Sequence, residues 1–405
     1  MYPIFIYFFT LLFLATCGAE KTNIVSKVSL DSKRQTNVVI VPGAERLALY
    51  HPMIKNKRVG LVVNQTSVFK NTHLVDTLLE IGVNVVKILA PEHGFRGEAD
   101  AGEKIKDDVD PKTGIPVISL YGSKKKPSPA EMVDIDILIF DIQDVGVRFY
   151  TYISTLHYVM ESCAQNNIPL IVLDRPNPNI HYVDGPVLDS QFSSFVGIHS
   201  VPVVYGLTIG EYATMINGEK WLKDGVQCDL QIVENKNYTR DSYYDLPVRP
   251  SPNLPNALSI LLYPSLCFFE GTTLSIGRGT QKQFQVIGHP SLTSDYFFVP
   301  KPNFGSKSPP LNGEKCFGED LTINTIQHLM EQKKLDLRYL LSYYEKMKAV
   351  GQNFFLENLF FDKLAGTDAL RKMIISGKNE SEIRASWKND LEKYEKIRRK
   401  YLLYE

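Results

Sequence analysis

Arg58-Val59-Gly60-Leu61-Val62-Val63-Asn64-Gln65-Thr66, Ile135-Asp136-Ile137-Leu138-Ile139-Phe140-Asp141-Ile142-Gln143-Asp144 and Ile168-Pro169-Leu170-Ile171-Val172-Leu173-Asp174-Arg175 share one pattern. Each is a short apolar run that stops abruptly at polar or charged residues. Residues 83–89 and 115–120 are further runs of the same kind. Between them lie stretches with helical spacing: Leu74, Leu78, Leu79 and Ile81, stopped by Gly82, and residues 152–167. Continuous apolar strands separated by amphipathic helices indicate a parallel sheet covered on both faces. The expectation is a doubly wound, Rossmann-like α/β lobe.

Outward from this core the pattern loosens. Thr208-Ile209-Gly210-Glu211 has the form of a capping box and predicts a helix through Asn217. Residues 245–279 are rich in Pro, Gly, Ser and aromatics, and residues 381–405 form a charged amphipathic tail. In that tail Trp387, Leu391, Tyr394, Ile397 and Tyr401 fall on one stripe, which reads as core packing. A mature chain of this length exceeds one ordinary core, so two lobes are expected: residues 39–245, Rossmann-like, and a smaller α+β lobe over residues 246–405.

Residues 1–13 are almost wholly apolar or aromatic, and Leu14-Ala15-Thr16-Cys17 closes the run. That length suits a secretory signal and is too short to span a bilayer. Cys17 at the end of the run indicates a lipoprotein signal, with this cysteine as the acylated N-terminus and its anchor the only membrane contact. A buried N-terminal helix is the competing reading, but the polar tether of residues 18–38 would leave it nothing to pack on. The expected location is therefore periplasmic and lipid-anchored. Lys plus Arg equals Asp plus Glu, 45 each, without long runs of one sign. This argues against a nucleic-acid groove or a polybasic membrane patch. Cys163, Cys228, Cys267 and Cys316 form no C-x-x-C pair and read as buried small hydrophobes.

Ligands of open parallel sheets bind outside the carboxyl ends of the strands. Here those ends carry Asn64-Gln65-Thr66, Pro91-Glu92-His93-Gly94-Phe95-Arg96-Gly97, Tyr121-Gly122, Asp141-Ile142-Gln143-Asp144 and Asp174-Arg175-Pro176-Asn177. Loops are polar in any protein. Carboxylates and arginines directly after buried strands, however, need partners or a ligand to offset desolvation.

These segments, in this order, resemble a bacterial family of exo-β-N-acetylmuramidases of the NamZ type, glycoside hydrolase family 171. The resemblance continues through Val145-Gly146-Val147-Arg148-Phe149-Tyr150-Thr151-Tyr152, Pro250-Ser251-Pro252-Asn253, Phe269-Glu270-Gly271-Thr272 and Ser275-Ile276-Gly277-Arg278-Gly279-Thr280. It covers residues 43–405, with one departure at Asn179-Ile180-His181-Tyr182, where relatives tend to carry a glycine-containing turn. It implies release of N-acetylmuramic acid from non-reducing ends of peptidoglycan fragments, without a cofactor, in a cleft between the two lobes. It also implies that Glu92 is the leading catalytic residue.

Glycoside cleavage needs an acid for the leaving oxygen and a second group at the oxocarbenium-like centre. Glu92 suits the acid: burial after an apolar strand raises its pKa, whereas His93 and Arg96 oppose that shift. A structural Glu92–Arg96 ion pair is the plainer alternative. Asp141, Asp144 or the substrate's own acetamido group is the candidate second centre. Arg148 either pairs with Asp144 or touches substrate, and Asp174-Arg175 combines a strand-end pair with substrate contact. The lactyl carboxylate of muramic acid requires a cation, for which Arg96, Arg175 and Arg278 are candidates. Tyr121, Tyr150 and Tyr152 can be sugar platforms or cleft wall. Asn64, Gln65, His93 and Glu270 complete the expected contacts. Two other classes remain open: a metal-dependent hydrolase of wall fragments, weakened by the absence of H-E-x-x-H, and a non-catalytic peptidoglycan-binding lipoprotein. Neither G-x-S-x-G nor a Cys–His pairing supports a serine or cysteine nucleophile.

Overall fold

Each apolar run becomes a strand. The computed structural model describes residues 39–91, 94–95 and 108–405. The signal and tether (1–38, with Cys17) and Glu92, His93 and Arg96 lie outside the described residues. In chain order the strands of the first half are β1 (Val59–Val63), β2 (Val68–Phe69), β3 (Thr72–His73), β4 (Val85–Ala90), β5 (Asp108–Val109), β6 (Pro116–Ser119), β7 (Ile137–Asp141), β8 (Leu170–Leu173) and β9 (Leu230–Val233). β2 and β3 form a small hairpin; the other seven form one sheet in the order β5-β6-β4-β1-β7-β8-β9. β5 pairs antiparallel to β6, and every other pairing in this sheet is parallel. The six parallel strands therefore stand third-second-first-fourth-fifth-sixth, the doubly wound arrangement, with the order reversing at β1 and β7.

β5 and β9 carried no sequence signal. β5 is two exposed residues, and β9 is an edge strand on which only Val233 is buried, so neither presents a continuous apolar run. Side chains alternate across the sheet. Ile137, Ile139, Ile171 and Leu173 enter one core, beneath α1 (Leu47–Ile54) and α2 (Leu74–Glu80). Leu138, Phe140, Leu170 and Val172 enter the other, with α3 (Pro129–Met132), α4 (Tyr152–Asn166) and α5 (Ile209–Gly218). Thr208 caps α5 and Glu211 returns the bond, as its sequence requires.

The second core does not stop at the end of the first half. It runs without a break into α6 (Ala257–Leu266) and the helices α7 (Ile326–Gln332), α8 (Arg338–Ala349), α9 (Phe360–Ala365), α10 (Ala369–Ile375) and α11 (Glu380–Arg398). The same half holds a small antiparallel sheet in which β10 (Val286–His289) and β11 (Tyr296–Phe298) flank β12 (Cys316–Asp320). The amphipathic tail is α11, with Ile383, Trp387 and Tyr394 buried. The four cysteines are buried and unpaired.

Most charge at the carboxyl edge of the sheet is spent on holding this arrangement together. Arg175 binds both oxygens of Asp141, Nε at 2.6 Å and Nη2 at 2.9 Å, with both side chains buried. Burial weighs against the Arg175 charge, but Asp141 outweighs it and holds the pKa above its ordinary value. Asp174 accepts from the Gly210 amide at 2.8 Å, at the start of α5, and from Thr208 Oγ1 at 2.8 Å and Tyr404 Oη at 2.6 Å. A Cβ on Gly210 would stand 2.8 Å from the Asp174 carboxyl carbon, so only glycine lets the helix come this close.

Arg148 does not pair with Asp144, contrary to one sequence expectation. Its guanidinium is fully buried and donates to four carbonyls: Pro186 at 2.9 Å and Val201 at 2.7 Å from Nη1, Leu364 at 3.0 Å and Ala365 at 2.7 Å from Nη2. Burial pulls its pKa down to about 9. Asp144 instead accepts from the Gly146 amide at 2.6 Å and from the Tyr205 hydroxyl, while among the described residues no hydrogen-bond donor meets Oδ1. Burial lifts this carboxyl to about 7, against the pull of Tyr205 and Gly146.

Two stability predictions follow from these groups. Arg148→Met removes the donor to four carbonyls, of which, among the described residues, Val201 alone keeps a backbone partner, the Leu188 amide, and is expected to cost about 3–5 kcal/mol in urea denaturation; Arg148→Lys, a point charge that cannot span four acceptors, should recover only part of it. For Asp144, the folded pKa lies above the unfolded value of about 3.9, so between those values the folded chain holds a proton that the unfolded chain has released. Wild-type stability relative to Asp144→Asn should therefore fall by about 2 kcal/mol between pH 5 and 7.5. A flat or rising difference would contradict this placement of the proton.

Candidate active site

The loop after β7 turns at Gly146, and its continuation, residues 149–152, forms one wall of a cleft of about 240 Å³. Tyr121, just beyond β6, and Phe195 extend that wall. The opposite side comes from the C-terminal half: Ser251 and Asn253, Tyr263 on α6, Glu270, Arg278, Phe284, and Phe360 on α9. The cleft thus sits where the carboxyl edge of the sheet meets the second half of the chain.

Its walls are held by edge-on ring packing. Tyr150 meets Tyr152 at 4.9 Å and Tyr263 at 6.0 Å between centroids, and Tyr263 meets Phe284 at 4.8 Å, all near perpendicular. Such contacts fix ring orientation, and the rings are largely buried, so they shape the wall of the cleft. The Pro250-Ser251-Pro252-Asn253 segment is tied to the sheet from both sides, because the Pro250 carbonyl accepts from Tyr150 Oη at 2.7 Å and Gln65 Nε2 at 3.1 Å. Asn64 lies beneath: its amide donates to Tyr152 Oη at 2.8 Å, and its Oδ1 accepts from Thr66. Asn64 and Gln65 therefore brace the wall rather than face the cavity.

Among the described residues, the cleft's charge comes from Glu270 and Arg278. Arg278 Nε donates to Glu270 Oε1 at 2.6 Å, Nη2 contacts the same oxygen, and the guanidinium carbon lies 5.4 Å from the Phe284 ring centre. Burial opposes the Arg278 charge, but Glu270 outweighs it and raises the pKa. Glycines on both sides adopt left-handed backbone, φ 82° at Gly277 and 79° at Gly279. A Cβ at Gly277 would fall 2.4 Å from the Lys282 carbonyl, so the tight loop expected around this arginine needs glycine there.

Of the residues expected at the site, Tyr121, Tyr150, Tyr152, Glu270 and Arg278 converge on one cavity. Asp141, Arg175, Asp174 and Arg148 do not line it; each is bonded within the protein as described above, which takes Arg175 out of contention as a free cation. Asp144 is likewise absent from the lining. Glu92, His93 and Arg96 lie outside the described residues, although their flanks are defined: β4 ends at Ala90, the Gly94 amide donates to the Pro91 carbonyl at 3.0 Å, and Phe95 packs edge-on against His73. Phe195, Tyr263, Phe284 and Phe360 were not foreseen, because single aromatics in loops or apolar helices read as ordinary core.

Comparison with known proteins agrees with this architecture across the chain. Models of the exo-β-N-acetylmuramidase NamZ match as an N-terminal domain at residues 59–258 and a C-terminal domain at residues 261–404. The peptidoglycan β-N-acetylmuramidase NamZ of Bacillus subtilis (strain 168) is 38% identical over 403 residues, 94% of this chain and 95% of that one. Two solved structures of DUF1343 family proteins from Bacteroides fragilis NCTC 9343 share the fold. One has a TM-score of 0.84 and 46% identity, covering 91% of this chain and 99% of its own; the other has 0.78 and 29%, covering 90% and 99%. Matched in both halves and along nearly its whole length, the chain belongs to the NamZ family of exo-β-N-acetylmuramidases.

Proposed function

We propose that this enzyme is an exo-acting glycoside hydrolase that releases N-acetylmuramic acid from the non-reducing ends of peptidoglycan fragments in wall turnover. The observation that carries the reading is the aromatic-walled cleft at the sheet's carboxyl edge, in a chain of this family. At about 240 Å³ it falls below the roughly 300–1,000 Å³ of pockets that enclose drug-sized ligands. That volume favours one terminal sugar over a run of sugars. Export and a lipid anchor at Cys17, as its sequence suggests, would place the enzyme beside its polymer in the periplasm.

In the proposed reaction Glu92 protonates the leaving glycosidic oxygen. Asp141 and Asp144 are outside the cleft lining and hydrogen-bonded internally, which favours the substrate's 2-acetamido oxygen as the group that attacks C1. The C1–leaving-oxygen bond then breaks as the acetamido O–C1 bond forms. Water next opens the cyclic intermediate at C1 and gives its proton to the Glu92 carboxylate, so two inversions yield net retention.

The wild type should hydrolyse a chromogenic β-N-acetylmuramide, and Glu92→Gln should lower kcat by about 10³-fold or more. Binding of wall fragments without sugar release would instead support a non-catalytic lipoprotein, and loss of activity with a chelator a metal-dependent hydrolase. Proton NMR of the first-formed product should show the β anomer; the α anomer would eliminate acetamido participation.

A further inference from the structure

Muramic acid differs from glucosamine by one substituent, a lactyl ether that presents a carboxylate beside a methyl group. Whatever selects for it needs a cation next to apolar surface. We propose that Arg278 is that selector, taking the lactyl carboxylate end-on, and that Glu270 is the positioning residue that aims it; the proposal rests on the muramidase reading above.

Four observations support this assignment. The first is elimination. Of the three candidate cations, Arg175 is buried and committed to Asp141 and Arg96 lies outside the described residues, so among the described residues Arg278 is the arginine lining the cleft. The second is the orientation of the guanidinium. Glu270 occupies its Nε and Nη2 side, while Nη1 has no partner among the described residues. That leaves the Nη1/Nη2 end open, the edge that takes a carboxylate through two parallel bonds.

The third is rigidity. The Gly277 and Gly279 conformations, the Glu270 bond and the Phe284 ring hold the arginine in place, so little side-chain freedom remains to be lost on binding. The fourth is the neighbouring surface. Arg278, Glu270 and Phe360 also border a second hollow of about 510 Å³, whose other walls include Phe269, Leu274 and Leu311. A carboxylate on Arg278 would therefore have apolar surface beside it for the lactyl methyl. Glu270 neutralises the arginine in the free enzyme. A sugar without the carboxylate then meets an already satisfied pair and gains nothing there.

The test compares kcat/KM on a chromogenic N-acetylmuramide with that on the same compound carrying a lactyl methylamide. The wild type should prefer the acid. Arg278→Gln should reduce that preference by about 10- to 100-fold, the loss expected for one charged, bidentate contact. Its rate on the amide should fall by a clearly smaller factor than its rate on the acid, whereas general damage to the cleft would lower both by the same factor. Arg278→Lys should restore part of the preference, and Glu270→Gln, which frees the guanidinium to rotate, should reduce it by a smaller factor. If the wild type cleaves the muramide and Arg278→Gln keeps its preference for the acid, the assignment is wrong while the muramidase reading stands. If the wild type cleaves neither compound, it is the muramidase reading that fails.

Discussion

A guanidinium bonded to carbonyls, and among the described residues to no carboxylate, holds the two halves of this molecule in register. Arg148 carries its charge into the interior and balances the desolvation with four carbonyl oxygens, two from residues 186 and 201 and two from residues 364 and 365. Gly366 has to be glycine for this: a Cβ there would lie 2.6 Å from Nη2, and the residue's φ is 73°. The cleft wall begins one residue after Arg148. Any loosening of this contact would therefore move the Tyr150 side of the cleft relative to Glu270 and Arg278, whose spacing defines the cavity.

A second junction works by the same logic with the opposite sign. The buried Asp174 carboxylate gathers the Arg175 amide, the start of α5, and the Tyr404 hydroxyl from the end of the chain. Glu211, at the same helix start, accepts from Arg240 and from the Leu403 amide. The last residues after α11 thus return to the sheet edge. The C-terminal half is fastened at Arg148 and again at Asp174, and the continuous second core lies between these two points.

The first half was legible because a parallel sheet buried on both faces leaves an unambiguous trace: Val62-Val63, Leu138-Ile139-Phe140 and Ile171-Val172-Leu173 are apolar whichever side they face. The turn at Thr208 was equally clear, since a capping box is local chemistry. The C-terminal half left a weaker trace. Its strands are three to five residues long, with half-exposed positions such as Tyr296, Phe317 and Glu319, and its organisation depends on contacts distant in sequence. The break in Arg148's expected pairing has the same origin. The nearest carboxylate in sequence, Asp144, was the obvious partner, but the atoms that meet the guanidinium come from segments up to 217 residues away.

The strand-end charges were read as a site because isolated buried charges are costly, and that premise was sound. What a sequence does not reveal is whether the compensation comes from a ligand or from the protein. For Asp141, Arg175, Asp174 and Arg148 the protein supplies it, and in each case a partner comes from a different strand or loop. Glu270 and Arg278 differ in one respect: they compensate each other and still face the cavity with a guanidinium edge unused. A paired charge that keeps an open donor edge in a cleft can still take a ligand, which a fully bonded charge cannot. That distinction, rather than the density of charge along the sheet, separates the groups that build this fold from those proposed to meet its substrate.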